Sequence, residues 1–115
     1  MNEMVSILVP IYNSARWIGE CIDSALGQTW QRIEVIAVDD GSTDASAQIV
    51  SRYRSSRLKL IRQSNMGAAA ARNTALRVAQ GDYVQWLDSD DILHPRKIEF
   101  QLVGRDHDPL TLFSG

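Results

Sequence analysis

Cysteine is nearly missing from this chain: Cys21 is the only one in 115 residues. A lone thiol excludes an internal disulfide and any metal site made of several cysteines. Its place on the apolar face of an expected helix makes it a buried thiol rather than a reactive one. Histidine is almost as scarce, and His94 and His107 stand in no zinc spacing. No apolar run approaches the ~18 residues of a membrane span, and no basic-then-apolar leader opens the chain. Positive charge is not in excess either. The formal net charge is −2 and the arginines are scattered, which excludes the basic stripe of a nucleic-acid surface. Gly41, Gly67 and Gly81 lie too far apart to form G-x-G-x-x-G; a P-loop, a nucleophile elbow and a serine triad are also missing. What is present is an ordinary globular composition, 44% hydrophobic and 23% charged, at a length that suits one domain.

The apolar pattern alternates between strand and helix. Val5–Val9 reads as a short buried strand ended by Pro10, and Ile33–Val38, Leu58–Ile61 and Tyr83–Leu87 read as further strands. Between them, Ile18, Cys21, Ile22, Ala25 and Leu26 recur at helical spacing in a helix from about Ala15 to Gln28. A second helix runs to about Tyr53, with Ile49, Val50 and Tyr53 inward. An alanine-rich third spans Ala68–Ala79. A fourth starts at Pro95 with Ile98 and Leu102 inward, and Leu110–Phe113 reads as a fifth strand. Successive β-α-β units predict an α/β fold of three layers: a mainly parallel sheet with helices on both faces. A strand set so close to the end of the chain makes that sheet look incomplete.

Acidic residues collect where three strands end. Tyr83–Leu87 runs into Asp88-Ser89-Asp90-Asp91, Ile33–Val38 into Asp39-Asp40-Gly41-Ser42, and the first strand into Pro10-Ile11-Tyr12-Asn13. Two carboxylates one residue apart repel unless a cation lies between them, and hard cations such as Mg²⁺ or Mn²⁺ take oxygen ligands. Taken alone, the Asp88–Asp90 triplet reads equally well as a turn rich in Asp and Ser. Ligands of open α/β sheets bind beyond the carboxyl ends of the strands, so three such ends together resemble the rim of a pocket. Within it, Asp40 has the character of an acceptor for a base N–H, while Asp39 braces the loop. Ser42, Thr43 and Asp44 precede a helix and read as caps. Tyr12 either lines a base or packs, and Asn13 is a turn residue or a ligand contact. Arg72, near the start of a helix of small side chains, balances acidic neighbours or holds a nucleotide; taken by itself it reads as a surface arginine on an alanine-rich helix. Arg52, Arg54 and Arg77 read as solvated. His94 reads as an exposed first-turn residue, and Asp106 and Asp108 flank His107 in what reads as an exposed loop.

The order Val9-Pro10-Ile11-Tyr12-Asn13, Val38-Asp39-Asp40-Gly41-Ser42-Thr43-Asp44, Gly67 to Asn73, and Asp88-Ser89-Asp90-Asp91 resembles the family 2 glycosyltransferases. Ser24-Ala25-Leu26-Gly27-Gln28-Thr29-Trp30 is similar to the end of their first helix. The resemblance runs along essentially the whole chain and implies a GT-A fold and inverting transfer from a nucleotide-diphospho-sugar. It implies that Pro10 and Tyr12 line the base site, that Asp40 bonds the base, with uracil the expected one, and that Arg72 sits against the nucleotide. In the D-x-D element, Asp88 would lean toward the ribose, and Asp90 would bind the Mn²⁺ or Mg²⁺ that bridges the diphosphate.

The family's catalytic base is an Asp or Glu well beyond the D-x-D, in the acceptor half. Asp106 and Asp108 come too early and match no base motif, so no catalytic residue is assigned within residues 1–115. The chain is therefore expected to be the nucleotide-sugar-binding part of a glycosyltransferase, inactive alone, with a carbohydrate or lipid-linked glycan as acceptor of the whole enzyme. The alternative is a stand-alone nucleotide-binding module. A nucleotidyltransferase fits worse, because Pro10 to Ser14 lacks the glycine-rich loop those enzymes carry near the first strand. The further expectations are a cytoplasmic location, at most peripheral at the inner face of the membrane, a role in cell-envelope polysaccharide synthesis, and homodimer formation through an uncovered sheet edge.

Overall fold

The computed structural model describes residues 3–103 together with strand residues 112–113. Its elements alternate as expected: β1 (Val5–Ile11), α1 (Ile18–Leu26), β2 (Ile33–Asp40), α2 (Ser46–Ser51), β3 (Leu58–Gln63), α3 (Ala68–Val78), β4 (Tyr83–Trp86), α4 (Lys97–Val103) and β5 (Leu112–Phe113). The strands form one sheet in the order β3-β2-β1-β4-β5, every adjacent pair parallel. Of the expected last strand, Leu110 and Thr111 lie outside the described residues, as do Asp106, His107 and Asp108.

Side-chain parity on β1 and β2 builds the two faces. Val5, Ile7, Val9 and Ile11, with Val35 and Ala37, pack under Ile18, Cys21, Ile22 and Ala25 of α1, Val50 of α2, and Ile98 and Leu102 of α4. The alternate residues Leu8, Ile36 and Val38 meet Ala71 and Ala75 of α3 on the other face. The two crossovers that step from β1 to β2 to β3 place α1 and α2 on one face. The chain then jumps back across the sheet to β4, and a right-handed connection puts α3 on the opposite face. This reversal makes the gap between β1 and β4 the switch point of the sheet.

Several element ends differ from the sequence reading. Residues 15–17 form a turn ahead of α1, with the amides of Trp17 and Ile18 both donating to the Ser14 carbonyl (2.9 and 2.8 Å). α2 stops at Ser51, though Tyr53 still packs on the core and donates its hydroxyl to Gly19 O (2.9 Å) and Asp23 Oδ1 (2.8 Å). Pro95 lies two residues ahead of α4 rather than in its first turn.

The most telling difference is β1, which does not end at Pro10 but continues to Ile11. Proline is tolerated there because β4 has already left: its register with β1 stops at Leu8↔Trp86, whereas β2 pairs with β1 as far as Ile11↔Asp39. The Leu8 carbonyl accepts the Leu87 amide (3.0 Å), so Leu8, and by alternation Pro10, turn their backbone polar groups toward β4. At Pro10 that side is an open crevice, and the missing N–H leaves no ladder bond unmade.

Candidate functional site

The crevice where β1 and β4 part opens into a cleft of about 510 Å³. All six residues singled out in the sequence, Pro10, Tyr12, Asp40, Arg72, Asp88 and Asp90, line it. They come from the ends of three strands and the second turn of α3.

Asp40 ends β2 and is 3% exposed. Its Oδ1 accepts from Gln63 Nε2 and the Met66 amide (both 2.9 Å). Its Oδ2 accepts from the Gly67 amide (2.9 Å) and, at longer range, Asn65 Nδ2 (3.3 Å). Burial pushes this carboxyl up, but the bonds from Gln63, Met66 and Gly67 outweigh it, and Asp40 titrates below the usual carboxylate value. Asp40 therefore sits as an anion inside the loop joining β3 to α3 and pins that loop. A carboxylate offers about four acceptor positions. Three are held by short bonds; the Asn65 amide can rely on its shorter bond to the Asp40 carbonyl (3.0 Å), which leaves one position of Oδ2 exchangeable.

Two glycines make this wrapping possible. Gly41 has φ +73°, and a Cβ there would stand 2.6 Å from the Asn65 backbone nitrogen. Gly67 has φ +99° with open space around it. The loop leads into α3, where Ala68, Ala71 and Arg72 line the cleft. Arg72 has no ion-pair partner among the described residues.

The neighbouring polar residues hold the frame. Asp39 accepts from Ser42 N (3.1 Å) and Ser42 Oγ (2.6 Å), bracing the loop as its position implied. Asn13, at φ +49°, accepts from the Thr43 amide (2.8 Å) through Oδ1 and receives Ser42 Oγ as acceptor for its own amide (2.9 Å). It serves as a turn residue, although it also lines the cleft. Asp44 takes the Ser46 amide (2.9 Å) at the head of α2, and the Ser46 hydroxyl bond, outweighing burial, lowers its pKa; Ser42 instead bonds Asp39 and Asn13, and Thr43 bonds Asn13.

Asp88 and Asp90 line the β4 side of the cleft, and carboxylate oxygens of these two and of the adjoining Asp91 all lie within 4.8 Å of one another, exposed. None of the three has a hydrogen-bond or ion-pair partner for its carboxylate among the described residues. Tyr12 (51% exposed) and Trp17 (47% exposed) present aromatic surface to the same cleft, with the Arg16 guanidinium 5.5 Å from the Trp17 ring centre. Sequence reasoning missed Trp17 and Asn65. Trp17 directly precedes the periodic stripe that begins at Ile18, and Asn65 reads as turn punctuation; an aromatic next to the Asn13 turn was the one available signal.

A model of the family described as Glycosyl transferase family 2 matches residues 6–108. Glycosyltransferase GlyG of Streptococcus pneumoniae is 44% identical over 102 residues, which cover 86% of this chain and 34% of that protein. Among solved structures, S. aureus TarS 1–349 superposes with a TM-score of 0.80 at 36% identity, covering 86% of this chain and 31% of that one; it is also known in complex with UDP, and with UDP-GlcNAc at a TM-score of 0.78. The mannosyltransferase PcManGT of Pyrobaculum calidifontis, in complex with GDP-Man and Mn²⁺, superposes with a TM-score of 0.72 at 34% identity, covering 80% of this chain and 29% of that one. The chain thus spans about a third of the length of these relatives.

Proposed function

The chain belongs to glycosyl transferase family 2, and from that premise we propose that it is the donor-binding part of an inverting, metal-dependent glycosyltransferase whose donor is a nucleotide-diphospho-sugar, UDP-linked in the first instance. The observation that carries this reading is one cleft that brings together Asp40 at the end of β2, Tyr12 after β1, and Asp88 and Asp90 after β4, with an Asp91 oxygen beside the last two.

Tyr12 supplies an exposed ring against which a base stacks, and Pro10 gives the base a flat apolar edge. Asp40 accepts a base ring N–H on its exchangeable Oδ2 position, in place of the long Asn65 contact. Arg72 contributes a cation to the phosphates. The three carboxylates fit a divalent metal by their chemistry: all are oxygen donors, close together and free of protein partners. A cleft so acidic also repels a bare diphosphate, which favours a cation as part of the ligand. Asp90, with its neighbours, would hold the ion, while Asp88 leans toward the ribose. When bound, the metal neutralises charge on the departing diphosphate as a Lewis acid. Deprotonating the acceptor hydroxyl needs a carboxylate base. We place that base, and the carbohydrate or lipid-linked acceptor, in the length of the relatives that this chain does not span.

Among the described residues no helix is long and apolar enough to cross a membrane. We place the site in the cytoplasm or at the inner membrane face, serving cell-envelope polysaccharide synthesis. Pairing of two copies through β3 finds no favour in its composition, because the exposed Lys59 and Arg62 stand on that edge. Titration with UDP by calorimetry tests the proposal: binding tightens with Mn²⁺, and Asp90→Ala removes the metal effect. Binding indifferent to metal in the unaltered chain would refute the metal-dependent reading. The second reading, a nucleotide-binding module without transfer, is favoured only by the absence of an assignable base in the described residues. It predicts that the chain acts on its own, binding UDP-sugar and moving no sugar.

A further inference from the structure

The segment Ser24 to Trp30 is unexplained by the cleft, since none of its residues lines it. Its side chains instead grip the stretch that follows the acidic loop. Cys21 Sγ donates to the Asp88 carbonyl (3.5 Å), which also takes the Asp91 amide (3.0 Å). One turn on, Ser24 Oγ accepts the Leu93 amide (3.0 Å) while donating to its own helix at Cys21 O (2.7 Å). Beyond the end of α1, Gln28, 2% exposed, donates to the His94 carbonyl (2.8 Å) and accepts the Ile98 amide (3.1 Å). Thr29 then gives its amide to the Pro95 carbonyl (2.9 Å). Positions 21, 24 and 28 follow one side of α1 and its extension. They meet the backbone of residues 88, 93, 94 and 98 in the same order.

We propose that Ser24 and Gln28 are positioning residues for the metal-binding loop: α1 is the rail from which residues 88–98 hang, and it fixes where the carboxylates of Asp88, Asp90 and Asp91 stand. The acidic loop needs such an external hold. Its three like charges repel, and among the described residues its one internal backbone bond is the turn from Asp91 N to Asp88 O. Leu93 packs in the core, so a bond at its amide sets the exit of the loop at a buried point. The inference rests on the metal reading proposed above.

The test compares Ser24→Ala with Ser24→Thr, which retains the hydroxyl, and adds Gln28→Glu, which retains an acceptor for Ile98 and loses the donor to His94. Two readouts are taken on each chain. Amide hydrogen exchange is expected to speed up in residues 88–98 of Ser24→Ala and Gln28→Glu, with residues 61–72 unchanged. Mn²⁺ affinity in the presence of UDP is expected to fall about tenfold in both, the size typical of lost outer supports to a metal site. UDP affinity without metal stays within about twofold, and Ser24→Thr restores both readouts. Faster local exchange with unaltered Mn²⁺ affinity would overturn the proposal, as would uniform loss of protection across the sheet. If the unaltered chain shows no Mn²⁺ effect, the metal reading fails and carries the positioning role with it; that result is recognisable because it precedes any substitution.

Discussion

Asp40 joins two properties that rarely coexist, near-complete burial and an ionised state held by donors from its own protein. In Asp40→Asn an amide nitrogen would face the Met66 or Gly67 N–H, leaving a buried donor unpaired. The expected cost is about 2 kcal/mol in urea unfolding, together with loss of UDP binding. Because the folded carboxyl titrates below its unfolded value of 3.8, its contribution to stability is complete above that value. It drains away as pH falls through the lower folded value. Acid unfolding of the unaltered chain should therefore show a component below pH 3.8 that Asp40→Asn lacks. Tyr12 gives the opposite case. Its ring is half exposed, so Tyr12→Ala should hardly change the melting temperature but weaken UDP binding about tenfold, and Tyr12→Phe should recover it. A large drop in melting temperature in Tyr12→Ala would mean that the ring packs rather than waits for a base.

At the scale of elements, the two glycines around Asp40 separate strain from crowding. Gly67→Ala meets open space and bears only the strain of a positive-φ backbone that glycine alone adopts readily (here φ +99°, ψ 161°), about 1–3 kcal/mol. Gly41→Ala bears that as well and drives a methyl into the Asn65 backbone, adding about 1–3 kcal/mol. Chemical denaturation should rank Gly41→Ala below Gly67→Ala; the reverse order would show that the wrapping of residues 63–67 over Gly41 is wrong. α1 offers a second check. Burial, then the nearby Asp91, Asp90 and Asp88, push the Cys21 thiol up to about 12, so it remains protonated as a donor to Asp88 O. A thiol reagent at pH 8 should leave the folded chain unlabelled and modify it in 6 M urea; fast labelling of the folded form would place α1 away from the acidic loop. The existence and type of the helices and strands were legible because their apolar periods are clean. Their ends were not, since Trp17, Tyr53 and Pro95 obey turns and distant carbonyls that no local period records.

For the molecule as a whole, the cleft sets three carboxylates, Asp40, Asp88 and Asp90, against Arg72, and Asp91 adds its charge beside Asp88 and Asp90. Without a divalent cation, UDP should bind more weakly than uridine, because its phosphates meet the acidic loop. With Mn²⁺ that order should invert, read as paired calorimetric titrations at low salt, where screening is small. UDP outranking uridine in chelator would mean that Arg72 alone carries the diphosphate. The alternation of strand and helix and the residue types at three strand ends could be read directly from the chain, because period and turn chemistry are local properties. Pro10, Tyr12, Asp40, Asp88 and Asp90 stand at those ends; Arg72 lies on a helix, and the roles of all six followed from the family resemblance. That β1 outlasts β4 and leaves Pro10 facing a crevice emerges only from how the strands pair. The same is true of Asp40, which holds the loop of residues 63–67, and of α1, which carries the acidic loop on Ser24 and Gln28. These arrangements depend on backbone donors and acceptors from elements far apart in the chain, and side-chain identity does not encode where those groups meet.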